Sequence, residues 1–224
     1  MLDVFYDGKV NEKDEAVLVE DGYVNLVGSN EDVLMQSIGA NLVDLGKHRL
    51  KGAKSLTEAG LLREDILKSM EILAAQGFCN ITTNLPYSRV REVEEVYRSG
   101  DAPLRTNIMI EANSLEDIKK YTLEYREDPW LTLGSLFVRD LSDIPGWIRK
   151  ANEVKTGLVF YCEEEDYPKV KPYLNKYHKA LFGRKVEEKK EIKVNDVADF
   201  AVVDSNGKVM MSVVEGYIVY RRGV

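Results

Sequence analysis

Over the first fifty residues, apolar and polar positions alternate in short runs, and the runs end at Asp-Gly pairs. Residues 4–6 lead into Asp7-Gly8, residues 16–19 lead into Asp21-Gly22, and residues 23–27 follow as another alternating run. Asp-Gly between β-branched or aromatic alternation is a hairpin signal, because a two-residue turn needs positive φ where a Cβ is costly. Gly8 and Gly22, and Gly216 near the far end, are therefore expected in the left-handed region. Asn30 reads as the cap of a short helix over 31–38 with acids in its first turn, and 41–45 as one more strand. The last 35 residues have the same texture: a strand at 200–203, a turn at Ser205-Asn206-Gly207, and strands at 209–214 and 217–221 around Glu215-Gly216. Neither end has enough strands to bury a face alone, so the two are expected to pair into one sandwich.

Between them the period changes from two to about 3.6. Thr57 opens a long helical pattern in which Ile66, Met70, Leu73 and Ala74 recur at spacings of three and four, and Gly77 ends it. Strands at 78–83, 104–110, 131–138 and 157–162 then alternate with helices at 88–99, 115–125, 144–154 and 167–181. Alternation of this kind predicts βαβ units around a parallel sheet. Four such strands make about half of an eight-stranded barrel, which typically needs ~250 residues. The expected architecture is α/β plus β. Residues 1–50 and 192–224 form a composite β-sandwich, and 51–191 form an inserted, shortened TIM-barrel-like segment of about four units. The Lys/Glu run 187–191 reads as a solvated connector.

Charge narrows the partners. A formal net charge of −7 lacks the basic footprint that nucleic acid or anionic lipid requires. No signal-like segment opens the chain, and no stretch of roughly 18 apolar residues occurs, so a membrane role is not expected. Cys79 and Cys162 sit in apolar surroundings without a CxxC, which fits two reduced thiols in the cytoplasm.

Five segments resemble the metal-dependent amidohydrolases. Tyr6-Asp7-Gly8-Lys9-Val10 is similar to their opening N-G-K-I hairpin, the segment from Ala16 to Ser29 to their A-V-V-D-G-R-I-V-A-V-G, and Val43-Asp44-Leu45-Gly46 to their I-D-L-x-G strand. At the far end, the segment from Val197 to Asp204 resembles x-A-D-F-V-V-L-D, and that from Val214 to Tyr220 resembles V-x-G-x-V-V-Y. The region from Leu61 to Asn84 looks, more loosely, like the first barrel helix and second strand of amidohydrolase family 3. The resemblance implies a sandwich built from both termini with an α/β barrel between them. It also implies a metal centre held by four His, a modified Lys and an Asp.

That centre cannot be drawn from this chain. After I-D-L-x-G the family continues into an H-x-H element; aligned on Gly52, Thr57 and Ala59 stand where its histidines belong, and most of the element is expected to be missing. The sequence holds two histidines, His48 at or just beyond a strand and His178 on a predicted helix. Tyr161 and Cys162 stand where another His would fall. No metal or other cofactor is therefore assigned. Ligands of parallel sheets meet the C-terminal strand ends. This makes Asn84, Glu111, Arg139, Asp140, Glu163 and Glu164 the ligand-binding candidates, with Thr82, Thr83, Asn113, Glu165 and Asp166 beside them; the bland alternative for all of them is solvated loops and helix caps. The function expected is a non-catalytic amidohydrolase relative binding a small molecule or a protein partner. The alternative is a metal-dependent hydrolase of non-peptide C–N bonds with a rebuilt carboxylate site. A half-barrel would expose the Ile, Leu, Val and Phe of its strands, and a second copy is expected to cover them as a homodimer.

Overall fold

The computed structural model describes residues 1–62, 64–121, 129–189 and 191–223. The chain divides into two compact units, one of Met1–Ser55, Met70–Asn80 and Glu187–Val224, the other of Leu56–Ser69 and Ile81–Val186.

The first unit holds two four-stranded sheets. One runs in the order β3 (Tyr23–Gly28), β2 (Ala16–Glu20), β1 (Leu2–Tyr6), β4 (Asn41–Asp44); the other runs β15 (Tyr217–Arg221), β14 (Val209–Val214), β13 (Phe200–Val203), β5 (Arg49–Gly52). A period of two lets β1 bury both faces. Phe5 joins Val17, Val19, Phe200, Val202 and Val213 in a core drawn from both sheets, while Val4 faces the other way onto Leu18 and Val33 of α1 (Asn30–Met35). The Phe5 and Phe200 rings meet edge to face at 4.9 Å and 89°. Such a pair contributes roughly 0.5–1.5 kcal/mol beyond its buried area.

The turns separate two uses of glycine. Gly22 (φ 85°) and Gly216 (φ 82°) follow Asp21 (φ 49°) and Glu215 (φ 50°), so both central residues are left-handed, as a tight hairpin requires. Gly8 departs from expectation: Asp7 takes the positive φ of 56° instead. Gly8 is needed for space, since a Cβ there would lie 2.6 Å from Leu45 Cδ1 and 2.8 Å from Leu50 Cδ1. At α1, Ser29 rather than Asn30 is the cap, its hydroxyl accepting from Asp32 N at 3.2 Å. Asn30 Oδ1 instead accepts from Asp7 N at 2.8 Å and fixes the first turn. The helix stops at Met35.

A seven-stranded sheet orders β11 (His178–Leu181), β10 (Leu158–Tyr161), β9 (Leu131–Val138), β8 (Arg105–Ala112), β7 (Phe78–Leu85), β6 (Lys54–Thr57) and β12 (Lys185–Glu188). The pairs β8–β9, β9–β10 and β10–β11 are parallel. The four expected strands are β7 to β10, and three more join them.

Each addition corrects a reading. Lys54–Thr57 is a strand, so the chain after Gly52 does not run straight into a helix. The helical run begins instead at α2 (Ile66–Ala74), where the Asp65 carboxylate caps Lys68 N at 2.9 Å. The helix expected over 167–181 shrinks to α6 (Tyr167–Val170) and a single 3-10 turn, Lys171–Tyr173. Pro172 has no N–H for a helix interior, and Asn175 Oδ1 takes the N–H groups of Tyr177 (2.7 Å) and His178 (3.0 Å) into a turn. His178 therefore starts a strand rather than riding a helix. Glu187 and Glu188 of the expected connector belong to β12, which pairs at the sheet edge. Further helices are α3 (Val90–Ser99), closed by left-handed Gly100, α4 (Leu115–Tyr121) and α5 (Ile144–Val154). Residues 122–125 of the expected fourth helix lie outside the described residues. Among the described residues no helix is long and apolar enough to cross a membrane.

Parallel register sorts the side chains of this sheet into two faces. Ile110, Leu136, Leu158 and His178 share a register row and are buried. Glu111, Phe137 and Val159 share the next row, on the opposite face. That second face is not the apolar surface expected of a half-barrel. Its centre is the small cluster Met109, Phe137, Val159 and Leu181, and Asn84, Asn107, Glu111 and Thr132 stand around it. Most of the Ile, Leu and Val belong to the buried face.

Candidate functional site

The C-terminal ends of β7 to β10 carry the candidate residues, and the structure sorts them into three groups. Asn84, only 4% exposed, joins three segments. Its Oδ1 accepts from Gly60 N at 2.9 Å, and its Nδ2 donates to Glu111 Oε1 at the end of β8. Only one orientation of the amide serves both a backbone donor and a carboxylate, so the network fixes it. Beside it the Thr83 hydroxyl accepts from Leu61 N at 3.0 Å, holding the segment after β6 against β7. Glu111 is thus a positioned, half-buried carboxylate with its second oxygen uncommitted by any described bond.

Arg139 forms the second group. Its Cζ lies 4.9 Å from the centroid of Phe137 and 4.8 Å from that of Tyr161, with the two rings 5.7 Å apart. A guanidinium on aromatic faces keeps its in-plane donors free while the rings fix its position. Among the described residues no carboxylate pairs with it.

The third group is an acidic rim. Glu163 and Glu164 line a concavity of about 960 Å³ with Glu165, Phe182, Gly183 and Cys162. Both lie exposed where β10 passes into a 3-10 turn. Asp140 belongs to none of the three. Its carboxylate accepts from Ser142 N at 2.9 Å, and hydrogen bonds from the Ser142 side chain and backbone hold it below the usual carboxylate range, as in an ordinary turn.

Other polar groups are disposed of by burial. Burial, and then the nearby Asp166 and Glu163 charges, push the Cys162 thiol up, so it stays protonated and unreactive. His178 is 2% exposed and meets Asn152 Oδ1 of α5 at 3.3 Å, and burial pushes its pKa down. It lies on the buried face, away from the row of Glu111. Phe137 was not legible as a functional residue; the signal for it was the Phe137-x-Arg139 spacing, which places both on one face of a strand end.

No family model matches the sequence, and no curated protein matches it. Solved structures do. Guanine deaminase from E. coli superposes with a TM-score of 0.64 at 9% identity, covering 99% of this chain and 99% of that one. A metal-dependent hydrolase from Pyrococcus horikoshii OT3 gives 0.60 at 10% identity over 77% of this chain and 68% of that one. The β-aspartyl dipeptidase from Fervidobacterium islandicum AW-1 gives 0.52 at 12% identity over 100% of this chain and 97% of that one. The chain has the fold of the metal-dependent hydrolases of the amidohydrolase superfamily. At these identities the likeness is one of fold, and chemistry must come from the site.

That fold implies a metal, and the strand ends test the implication. They present Thr57 at the end of β6 and Ala59 after it, Asn84 on β7, Glu111 on β8, Arg139 after β9, Tyr161 at the end of β10 and protonated Cys162 after it. A divalent ion needs several imidazoles, thiolates or carboxylates converging. Here the single carboxylate of the network is bonded to an amide, and a fixed cation stands on the neighbouring strand. These residues do not fit a divalent-metal centre. Among the described residues no group of three or more His, Cys, Asp and Glu side chains is placed to hold one.

Proposed function

We propose that the chain is a non-catalytic amidohydrolase relative, a composite β-sandwich with an inserted half-barrel whose strand ends bind a small polar molecule. The observation that carries this reading is Arg139, seated on Phe137 and Tyr161 with no carboxylate partner among the described residues. An exposed guanidinium already oriented by two rings has donors ready for a planar anion such as a carboxylate. Glu111, held by Asn84, offers an acceptor for an amine or amide. A small molecule bearing both groups is the ligand class that matches.

The test is a thermal-shift screen of small amino acids, amides and dicarboxylates against the wild type and Arg139→Ala. A hit that disappears in the variant supports the reading; no hit, or hits indifferent to the substitution, would sink it. Metal content measured on protein purified without added metal addresses the non-catalytic part, and stoichiometric zinc, iron or manganese would overturn it. In the same reading the protein is cytoplasmic and works as a homodimer. Sedimentation equilibrium showing a mass near 25.5 kDa at all concentrations would reject the dimer.

A further inference from the structure

A second concavity lies wholly within the two-sheet unit, at the edge formed by β5 and the hairpin after β1. It measures about 510 Å³ and is lined by Lys9, His48, Arg49, Lys51, Asp204 and Ser205, among others. Arg49 and Lys51 alternate with buried Leu50 and Gly52 along β5, so both point to the same outer face. Lys9 bridges Arg49 in parallel register, with Leu50 N donating to Lys9 O at 3.0 Å, which brings a third cation alongside.

This arrangement is electrostatically unfavourable by itself. Like charges opposite one another on neighbouring strands destabilise a sheet. Lys47 nearby is neutralised by Asp7, whereas Lys9, Arg49 and Lys51 have no carboxylate partner among the described residues. The one acid in the lining, Asp204, spends its Oδ1 on the N–H groups of Asn206 and Lys208, each at 2.9 Å. Lys47 also lines the cleft; with it set against Asp7, the three remaining cations and Asp204 leave +2 on a chain whose net charge is −7. Concentrating unpaired positive charge in a concavity of ligand size, against the charge of the whole chain, is what an anion site requires. The guanidinium supplies a fork that matches tetrahedral oxyanions in two-point fashion, and the ammonium groups supply mobile point charges. Three cations around one space match a ligand of several negative charges better than a single carboxylate.

We propose that this cleft binds a small polyphosphate-bearing anion. The assignment is independent of the strand-end site, since no residue is shared between them. The experiment is isothermal titration of the full chain with orthophosphate, pyrophosphate and tripolyphosphate at low salt, with citrate as a polycarboxylate of comparable charge. Affinity should rise with the number of phosphates and weaken as salt screens the cleft. Lys9→Ala combined with Arg49→Ala should lower tripolyphosphate affinity by roughly tenfold or more, and Arg49→Lys alone should fall between the two, keeping charge but losing the fork. These side chains are exposed, and an unchanged thermal midpoint checks that the variants fold. No binding by the wild type, or binding unaltered in the double variant, would overturn the site. Citrate binding as tightly as tripolyphosphate would overturn the phosphate assignment.

Discussion

Strand β1 and strand β8 use the same period of two for different ends. In β1 both faces are closed, with Val4 and Phe5 each fully buried on opposite sides and the buried Asp3 carboxylate taken up by Asn41 Nδ2 at 3.0 Å. In β8 one face is as apolar as a core strand, with Ile108, Ile110 and Ala112 buried. The other carries half-buried Asn107 and Glu111 around Met109. A strand buried on both faces has no side chain left to offer a ligand. A strand with one polar face lacks part of that hydrophobic stabilisation and keeps positioned donors and acceptors. The difference teaches what each strand can offer: β1 is built for closure, whereas the polar ends of the large-sheet strands keep positioned donors and acceptors for the candidate site.

Breaking the closed side should give the largest effect. Phe200→Ala removes a fully buried ring and its edge contact with Phe5. A loss of about 3–5 kcal/mol is expected in urea unfolding, the range for deleting a buried aromatic ring. A loss under about 1 kcal/mol would mean that the shared core of the two sheets is not closed there. Gly22→Val should follow, at about 1–3 kcal/mol, because φ 85° is strained for a β-branched residue and the new Cβ would lie 3.3 Å from Glu215 O. Gly22→Ala should cost less than Gly22→Val if φ is the main constraint. At Gly8 the constraint is packing rather than φ: Ala would have to displace the Leu45 and Leu50 methyl groups. Equal behaviour at the two glycines would contradict the distinction between conformational and steric need.

On the polar side, Asn84→Ala leaves Gly60 N and the Glu111 carboxylate without their described partners. Roughly 1 kcal/mol should be lost for each of these part-buried hydrogen bonds, the usual net worth of one. The readout that separates a structural from a binding role is ligand affinity in the same variant: with Glu111 no longer positioned it should fall, and an unchanged affinity would show that Asn84 serves the fold alone.

How much of this was legible follows from the range of the determining interactions. Asp21-Gly22 and Glu215-Gly216 could be read because a tight turn is decided by its own two residues. Strands β7 to β10 could be read because each is bounded by turn signals and carries a dense apolar face. Strand β11 could not, since Val170, Leu174, His178 and Leu181 recur at helical spacing and only pairing with β10, together with Pro172 and Asn175, decides against the helix. Among site residues, Asn84, Glu111 and Arg139 were visible as strand-end polar groups. Their grouping was not, because register decides that Tyr161 and Phe137 flank Arg139 while Asp140 turns away to Ser142.

The smallest expected effect concerns the buried face of the large sheet. His178 meets Asn152 through Nε2 at 3.3 Å, and its buried Nδ1 has no hydrogen-bond partner among the described residues. A neutral ring that donates from Nε2 leaves an acceptor lone pair at Nδ1, which is tolerable; a protonated ring would leave an unpaired N–H in the interior. Burial accordingly lowers the pKa of His178 below its ordinary 6.5 in the folded state. With the folded pKa depressed, the unfolded chain binds the proton first. Stability from this group is therefore full above pH 6.5, declines as the pH falls below that value, and levels off once the pH is beneath the folded pKa. Chemical unfolding measured across that window should show the decline in the wild type. It should be flatter in His178→Gln, whose side chain does not titrate there. Parallel pH profiles for the two proteins would show that His178 is not the titrating group.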